Sequence, residues 1–463
     1  MRRPCDAPKP RVKRRRARAV DLEGPSLPHS SHDHPSTSLP PFKSDEPIPT
    51  FELNLDLPPR QRWAKLAQAY RNRFGILVNR NGDALRALCA SSLAPSASSL
   101  PPEHQSEVRA LARLLRQPVS LLAALQFTYE AFALTDLSCG PCGCTSAAVD
   151  CSNGVAHGRT LDWAWLDGLS SLLVELRVVR GVKRLYTCTS IVGHVGVLTG
   201  MRTDDDSPAD SFSISLNYRR PFDGAWVHGE PVLQIPPPER NPFLAAAEAE
   251  RAAGALPASF LLRLALETCT TFERAVSFLA SERMLAPCYI LVAGARSGEA
   301  ALLTRSLGTG CVLERIQLSG ELCVANLDPS EEEIPALPSS KYHKLGSIEA
   351  KDFIQGESLL RRDICLKQLR DLRASLQSSC PATVANLGFE ALARALATPP
   401  VSNESTLHLT IMGTLQPQPY ARDAVAAIGM SNARREGVLL TMSGQGLFYA
   451  GVEGHLSAAE QGF

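Results

Sequence analysis

The sequence predicts an α+β protein in which antiparallel sheets are covered by helices. Strand-like runs, then helix-patterned residues, then strand-like runs again occupy the chain from Cys144 onward, an order that layered α+β architectures produce. Helix-patterned residues precede the first strand block. The composition, 44% hydrophobic and 21% charged over 463 residues, is ordinary globular usage and supplies a large core. The length is about three times the ~150-residue prior for one domain, so the chain holds two to three units or one large layered domain with attachments.

Residues 1–48 stand apart. The first 18 carry nine Lys or Arg against one acid, and Pro, Ser and His dominate the rest. Such a segment buries too little surface to offset chain entropy and is expected to be a disordered tail. Its basic run 11–18 fits a nuclear-import or anionic-surface patch, but a solvated tail explains it as well. FELNLDLPP (51–59) alternates with period two and stops at a proline pair, as a strand does. Residues 61–90 and 106–134 carry apolar residues at helical spacing, with a loop over 91–104. A small, mainly helical N-terminal unit, 49–143, follows.

Residues 144–463 form the strand-rich unit. CTSAAVD, VAHGRTLDW, LLVELRVVRG, KRLYTCTSIV, VGVLTG and FSISLNY read as strands, 259–267 and 272–281 as helices, and CYILVAG, EAALLTRS, CVLERIQL and ELCVANL as strands again. Residues 359–376 and 387–397 are helical in pattern, and TLHLTIMGTL and EGVLLTMSGQGLFYAGV close the chain with strands. No repeat of 20–50 residues is visible.

Several function classes are excluded by composition. A net charge of +1 argues against a chain-wide nucleic-acid binder. The longest apolar stretch, 121–134, is interrupted by Gln126, Tyr129 and Glu130, short of the ~20 residues a span needs. The protein is therefore expected to be soluble or to lie at a lipid interface; the Ala-rich residues 245–258 are expected to form a surface helix, facing solvent rather than lipid. Thirteen cysteines leave at least one thiol unpaired. No apolar segment follows the basic start, so no secretory signal is read, and an intracellular compartment is expected.

Three cysteine chemistries compete around 139–151. Cys139-Gly140-Pro141-Cys142 has the letters of a redox dithiol, yet it follows helical sequence and runs into a strand, not the βαβ context such a motif needs. Cys139, Cys142, Cys144 and Cys151 with His157 offer zinc ligands, but their spacing is too compressed for the usual paired arrangement. The third centres on Cys144, whose next strand returns Arg159 and Asp162 beside it. On that strand His157 shares a face with Arg159 and lines the site.

The motifs CTS followed by HGRTLDW, then VGVLTGMR, SISLNYR, MLAPCYILVAGARSGEAALLTR and CVANLD, in this order behind FELNLDLPPRQRW, resemble those of the acid ceramidase and N-acylethanolamine-hydrolyzing acid amidase family of N-terminal-nucleophile (Ntn) hydrolases. The resemblance implies a four-layer αββα sandwich and cleavage between Gly143 and Cys144 into two associated fragments. The freed α-amine, with a pKa of ~7.7–8.0, serves as base for its own thiol. In this resemblance Cys144 is the nucleophile and Asp162 orients its amine. Arg159 favours the thiolate, and Asn326 with Asn217 meets the oxyanion. Arg361, or its neighbour Arg362, is the late pocket arginine. No cofactor or metal is implied. The implied substrate is an N-acylated lipid amide, with no nucleic-acid partner; family analogy points to the lysosome if the start of the chain is misassigned. Two rivals stay open: another Ntn acylase, of the bile-salt, penicillin or acyl-homoserine-lactone type, and a cysteine-rich zinc or redox interaction protein.

Overall fold

Alternating patterns along the strand blocks resolve into two sheets lying face to face. The computed structural model describes residues 48–91, 100–135, 142–219 (except 152, 153, 164 and 205), 226–227, 230–231, 241–326, 358–371, 388, 391–413 (except 404) and 438–443. The strands are β1 (Thr50–Asn54), β2 (Cys142–Cys151), β3 (Gly154–Trp163), β4 (Leu173–Arg180), β5 (Lys183–Ile191), β6 (Thr199–Arg202) and β7 (Phe212–Tyr218). They continue with β8 (Trp226–Val227), β9 (Glu230–Pro231), β10 (Cys288–Gly294), β11 (Ala300–Arg305), β12 (Cys311–Arg315), β13 (Glu321–Val324), β14 (Thr406–Gly413) and β15 (Val438–Ser443). Eight form one sheet in the order β1-β4-β5-β6-β7-β10-β11-β12, and five form the second, β13-β2-β3-β14-β15. Strands β8 and β9 make a separate hairpin.

The helices are α1 (Pro59–Arg62), α2 (Ala64–Arg80), α3 (Gly82–Ala90), α4 (Pro102–Leu115), α5 (Val119–Leu125), α6 (Thr128–Leu134), α7 (Pro242–Ala252), α8 (Ala258–Thr268) and α9 (Phe272–Ser281). Two more, α10 over 358–371 and α11 over 391–397, follow. Apolar residues of α8 and α9, among them Phe260, Leu266, Phe272 and Val276, pack with Ile214, Ile290 and Leu303 of the eight-stranded sheet. Cys365 and Leu369 of α10 and Leu392 and Leu396 of α11 pack with Val149, Ala156 and Ile411 on the far side of the five-stranded sheet. Between the sheets, Ala148 and Val155 meet Tyr289, Leu291 and Leu302. The result is the αββα order. Gly158 lets α11 approach, since a Cβ there would collide with Leu392 and Leu396.

The patterned helical stretches break where local chemistry breaks them. Residues 61–90 divide at Trp63 and at Asn81, whose side chain donates to the Leu77 carbonyl at 2.9 Å. The Ala-rich surface helix expected over 245–258 ends at Ala252, because Gly254 adopts φ +91°. Residues 1–47 and the end of the helix expected over 359–376 fall outside the described residues. Strand β2 starts at Cys142, ahead of the expected Cys144.

The N-terminal segment is built into the sandwich. Strand β1 pairs in parallel with β4, Thr50 opposite Glu175 through Asn54 opposite Val179. Leu66, Tyr70 and Phe74 of α2 share one apolar cluster with Leu173, Val174 and Leu176. Beneath it, the Glu107 carboxylate of α4 bridges two guanidinium groups, Arg62 of α1 and Arg263 of α8, the latter at 2.6 Å. All three are buried, and the two arginines hold the carboxyl below its usual range against the opposing pull of burial. Removing one member of a buried ion cluster typically costs ~3–5 kcal/mol, because the remaining charges lose their compensation. Glu107→Gln is expected to lower unfolding free energy by about that amount in a denaturant titration.

Glu130 of α6 is buried too, and its carboxylate accepts the Ala258 amide at 2.9 Å. Burial raises its pKa from 4.5 to about 7. The folded state thus holds an extra proton between those values. This group's stabilisation is complete below pH ~4.5 and is lost as pH rises through 7, a swing on the order of 3 kcal/mol. His104 and His157, which burial lowers to about 3, act in the opposite sense below pH 6.5. The wild-type-minus-Glu130→Gln difference in melting temperature isolates the carboxyl: it should shrink steadily from pH 5 to pH 8.

Candidate active site

Antiparallel pairing of β2 with β3 sets Gly143 opposite Asp162, Cys144 opposite Leu161 and Ser146 opposite Arg159. Successive strand residues point to opposite faces. Cys144, Ser146, Arg159 and Leu161 therefore face the other sheet, while Gly143, Thr145 and Asp162 face helices α10 and α11. The Gly143–Cys144 peptide runs between two half-sites.

On the inner face, Arg159 donates from Nη2 to the Cys144 Sγ at 3.1 Å. The Thr199 hydroxyl, 2.6 Å from Nη1, holds the guanidinium in place with the Leu198 carbonyl. On the outer face, Asp162 accepts from the Thr406 hydroxyl at 2.6 Å and from Arg361 Nη1 at 3.0 Å. Burial pushes the Asp162 carboxyl up from its ordinary range, and Arg361 and Thr406 oppose that shift. Arg361 also reaches Thr145 Oγ1 and donates from Nη2 to Asn326 Oδ1 at 2.8 Å. The same Asn326 oxygen accepts the Cys144 N–H at 3.0 Å. Asn326 is fixed by its Nδ2 bond to the Tyr218 carbonyl, 2.8 Å, and by its N–H bond to Ser358 Oγ, 2.8 Å. Gly143 has no room for a side chain: a Cβ would lie 2.8 Å from Arg361 Nη2.

Five of the six residues singled out from the sequence thus join one network with the Cys144 sulfur and nitrogen. Of the arginine pair, Arg361 enters it, while Arg362 forms an ion pair with Asp363 at 3.0 Å. Asn217 takes a different place from the one expected. Its amide nitrogen donates to the Val324 and Ala325 carbonyls at 2.9 and 3.1 Å, and its oxygen accepts the Ser146 hydroxyl at 2.6 Å. It grips the backbone immediately before Asn326. His157 faces inward between Ser213 and Ser215, not toward the sulfur. Sequence reasoning passed over Thr145, Thr199, Thr406 and Ser358. Hydroxyls that tether a neighbouring polar group carry no signature of their own in a strand or helix pattern.

A pocket opens beside the sulfur, lined by Phe132, Leu161, Trp163, Leu198, Leu216 and Tyr218 among others. Trp163 also borders a second, largely apolar chamber, between Phe74, Leu77 and Leu85 of the N-terminal helices and Leu169 and Ile191. Phe132 and Trp165 meet edge to face, with ring centroids 5.2 Å apart.

Cys139 and the side chain of Cys142 lie outside the described residues. Among the described residues no group of three or more His, Cys, Asp or Glu side chains could hold a metal ion. No helix among them is long and apolar enough to cross a membrane.

Comparison with known proteins gives a consistent result. A family model described as the beta subunit of N-acylethanolamine-hydrolyzing acid amidase matches residues 46–85. Acid ceramidase of Bos taurus is 26% identical over 288 residues, which cover 56% of this chain and 64% of the bovine protein. Acid ceramidase of Mus musculus is 26% identical over 401 residues, 80% of this chain and 85% of the mouse protein. The Homo sapiens protein is 25% identical over 56% of this chain and 63% of its own length. Among solved structures, an N-acylethanolamine-hydrolyzing acid amidase ortholog of Caenorhabditis elegans matches at 21% identity and a TM-score of 0.42, over 60% of this chain and 96% of that one. The family model on the first strand and helices, and the acid ceramidase relatives along most of the remaining length, agree on one likeness, to acid ceramidase and N-acylethanolamine-hydrolyzing acid amidase.

Proposed function

We propose that the protein hydrolyses the amide bond of an N-acylated lipid, with Cys144 as an N-terminal nucleophile released by scission of its own Gly143–Cys144 bond. The observation that carries this reading is the convergence on one residue: Arg159 on the sulfur at 3.1 Å and Asn326 on the nitrogen at 3.0 Å. The names of the relatives, acid ceramidase and N-acylethanolamine-hydrolyzing acid amidase, support the substrate class.

In the scission step the Cys144 sulfur attacks the Gly143 carbonyl carbon, and the C–N bond breaks as the nitrogen takes up a proton. Water then hydrolyses the thioester, leaving a carboxylate on Gly143 and a free α-amine on Cys144. That amine, near pKa ~8, takes the thiol proton in turnover. Asn326 Oδ1 already accepts from the same nitrogen, and Asp162 stands opposite the departing residue. Arg159, donating to the sulfur from Nη2, holds it in place for the attack. In turnover the sulfur attacks the lipid's amide carbonyl and the amine departs with the proton. The acyl group remains as a thioester until water removes it.

Each amide hydrogen has a separate task. Asn326 Nδ2 spends one hydrogen on Tyr218 and offers the second to the tetrahedral oxygen; loss of one such donor typically lowers turnover ~10²–10³-fold. Asn217 acts behind it by holding the backbone. The acyl chain occupies the apolar cavity beside Cys144, and Trp163 separates it from the second chamber. The two fragments, about one third and two thirds of the chain, remain together through the β1–β4 pairing and the Arg62–Glu107–Arg263 cluster.

Denaturing electrophoresis with end sequencing tests the reading. Wild type should yield two bands, the larger beginning at Cys144, and should hydrolyse an N-acylethanolamine or a ceramide. Cys144→Ala should remain one band without activity, and Asn326→Ala should lose turnover more than scission. An uncut wild type would overturn the proposal. Trp163→Ala, which joins the two cavities, should shift preference toward longer acyl chains in a competition assay over a chain-length series; an unchanged profile would remove Trp163 from the acyl site.

A further inference from the structure

Strand β7 carries an unusual stripe across the interface between the sheets. Ser213, Ser215 and Asn217 recur at every second position and so share one face, the face turned toward His157 and Ser146 of the second sheet. All five side chains are buried, where polar groups are costly unless hydrogen-bonded. The bonds form an unbroken chain. Ser213 Oγ lies 2.9 Å from His157 Nδ1, and His157 Nε2 lies 2.8 Å from Ser215 Oγ. Ser215 Oγ lies 2.9 Å from Ser146 Oγ, and Ser146 Oγ is 2.6 Å from Asn217 Oδ1.

Counting hydrogens gives the chain a direction. The nitrogen end of the Asn217 amide faces two carbonyls, Val324 and Ala325, which only accept, so its oxygen must face Ser146. A hydroxyl has one hydrogen, and Ser146 spends its own on that oxygen. Ser215 must then donate to Ser146, and His157 must donate from Nε2 to Ser215. Burial and the Arg159 charge keep His157 neutral, with a pKa lowered to about 3. Its Nδ1 is therefore bare and accepts from Ser213 at 2.9 Å, in preference to the Ala293 carbonyl 3.3 Å from the same hydroxyl.

We propose that His157 is a positioning residue: through Ser215, Ser146 and Asn217 it orders the backbone of Val324 and Ala325, and so holds Asn326 on the Cys144 nitrogen. The proposal rests on the reading of Cys144 as nucleophile only for its kinetic consequence; the hydrogen-bond order stands independently of it. The relay links the two sheets and ends one residue short of the group that touches both Cys144 and Arg361.

Nitrogen-15 NMR of full-length protein labelled at histidine, with the His157 signal assigned by its loss in His157→Gln, tests the relay without any assay. The protonated nitrogen should be Nε2 from pH 5 to pH 8. Protonation at Nδ1 would reverse the order of donors and overturn the proposal. In turnover of an N-acyl amide, His157→Phe should lower kcat ~10–100-fold with KM within about twofold, the pattern of an interaction realised in the transition state. Glutamine retains one donor and one acceptor, and His157→Gln should recover most of the loss. Ser146→Ala combined with His157→Phe should cost no more than the worse single change, because both cut one chain. Unchanged kcat in His157→Phe, failure of Gln to rescue, or additive losses would each overturn the relay. A wild type that lacks amidase activity yet shows the Nε2–H form would overturn the proposed function and leave the relay standing.

Discussion

The site depends on a buried guanidinium. Arg361 lies between the Asp162 carboxylate and the Asn326 amide oxygen, both within 3.0 Å, and neither charge of the pair is exposed. Burying two charges is costly unless they meet each other and their remaining hydrogen-bonding positions are filled. Here Thr406 fills one on Asp162, and Thr145 and Asn326 fill others around Arg361. Once these bonds are satisfied the arrangement has little freedom. Asn326 can turn only one way, and its oxygen must then lie on the Cys144 nitrogen. The absence of a side chain at Gly143 follows from the same contact, because the guanidinium occupies the space a Cβ would need.

The second constraint is the alternation of a strand. Because neighbouring residues point to opposite faces, the sulfur of Cys144 shares the inter-sheet face with Arg159, and the residue before it shares the outer face with Asp162 and α10. A single peptide bond thus lies where two separately built environments meet. The inner environment is largely apolar around one cation; the outer is a buried ion pair. The N-terminal segment closes the arrangement by adding a strand to the larger sheet and helices to the wall of the neighbouring chamber.

Much of this was legible in the residues. FSISLNY and HGRTLDW show their alternation, and the placement of Arg159 and Asp162 beside Cys144 followed from a two-strand hairpin. The layered α+β order came from the sequence of periodicities. What could not be read are interactions between elements distant in the chain. Nothing in FELNLDLPP shows that it pairs in parallel with residues 175–179, and nothing in LLRRD distinguishes Arg361 from Arg362 until the helix is rotated against the sheet. The resemblance puts Asn217 at the oxyanion; in the structure its two amide hydrogens face the Val324 and Ala325 carbonyls. The serine stripe was visible as polar alternation, but its partner His157 lies on another sheet. Helical periodicity also ran through the breaks at Trp63 and Asn81, because apolar spacing continues across a turn that keeps the same face buried.

Acid-quenched turnover followed by peptide mass mapping decides whether the Cys144 sulfur carries the acyl group while its own nitrogen is a chain terminus. An acyl thioester on a peptide whose first residue is Cys144 is the expected result. A peptide that runs unbroken through Gly143 and Cys144 with an unmodified sulfur, recovered from protein that had consumed its substrate, would contradict it.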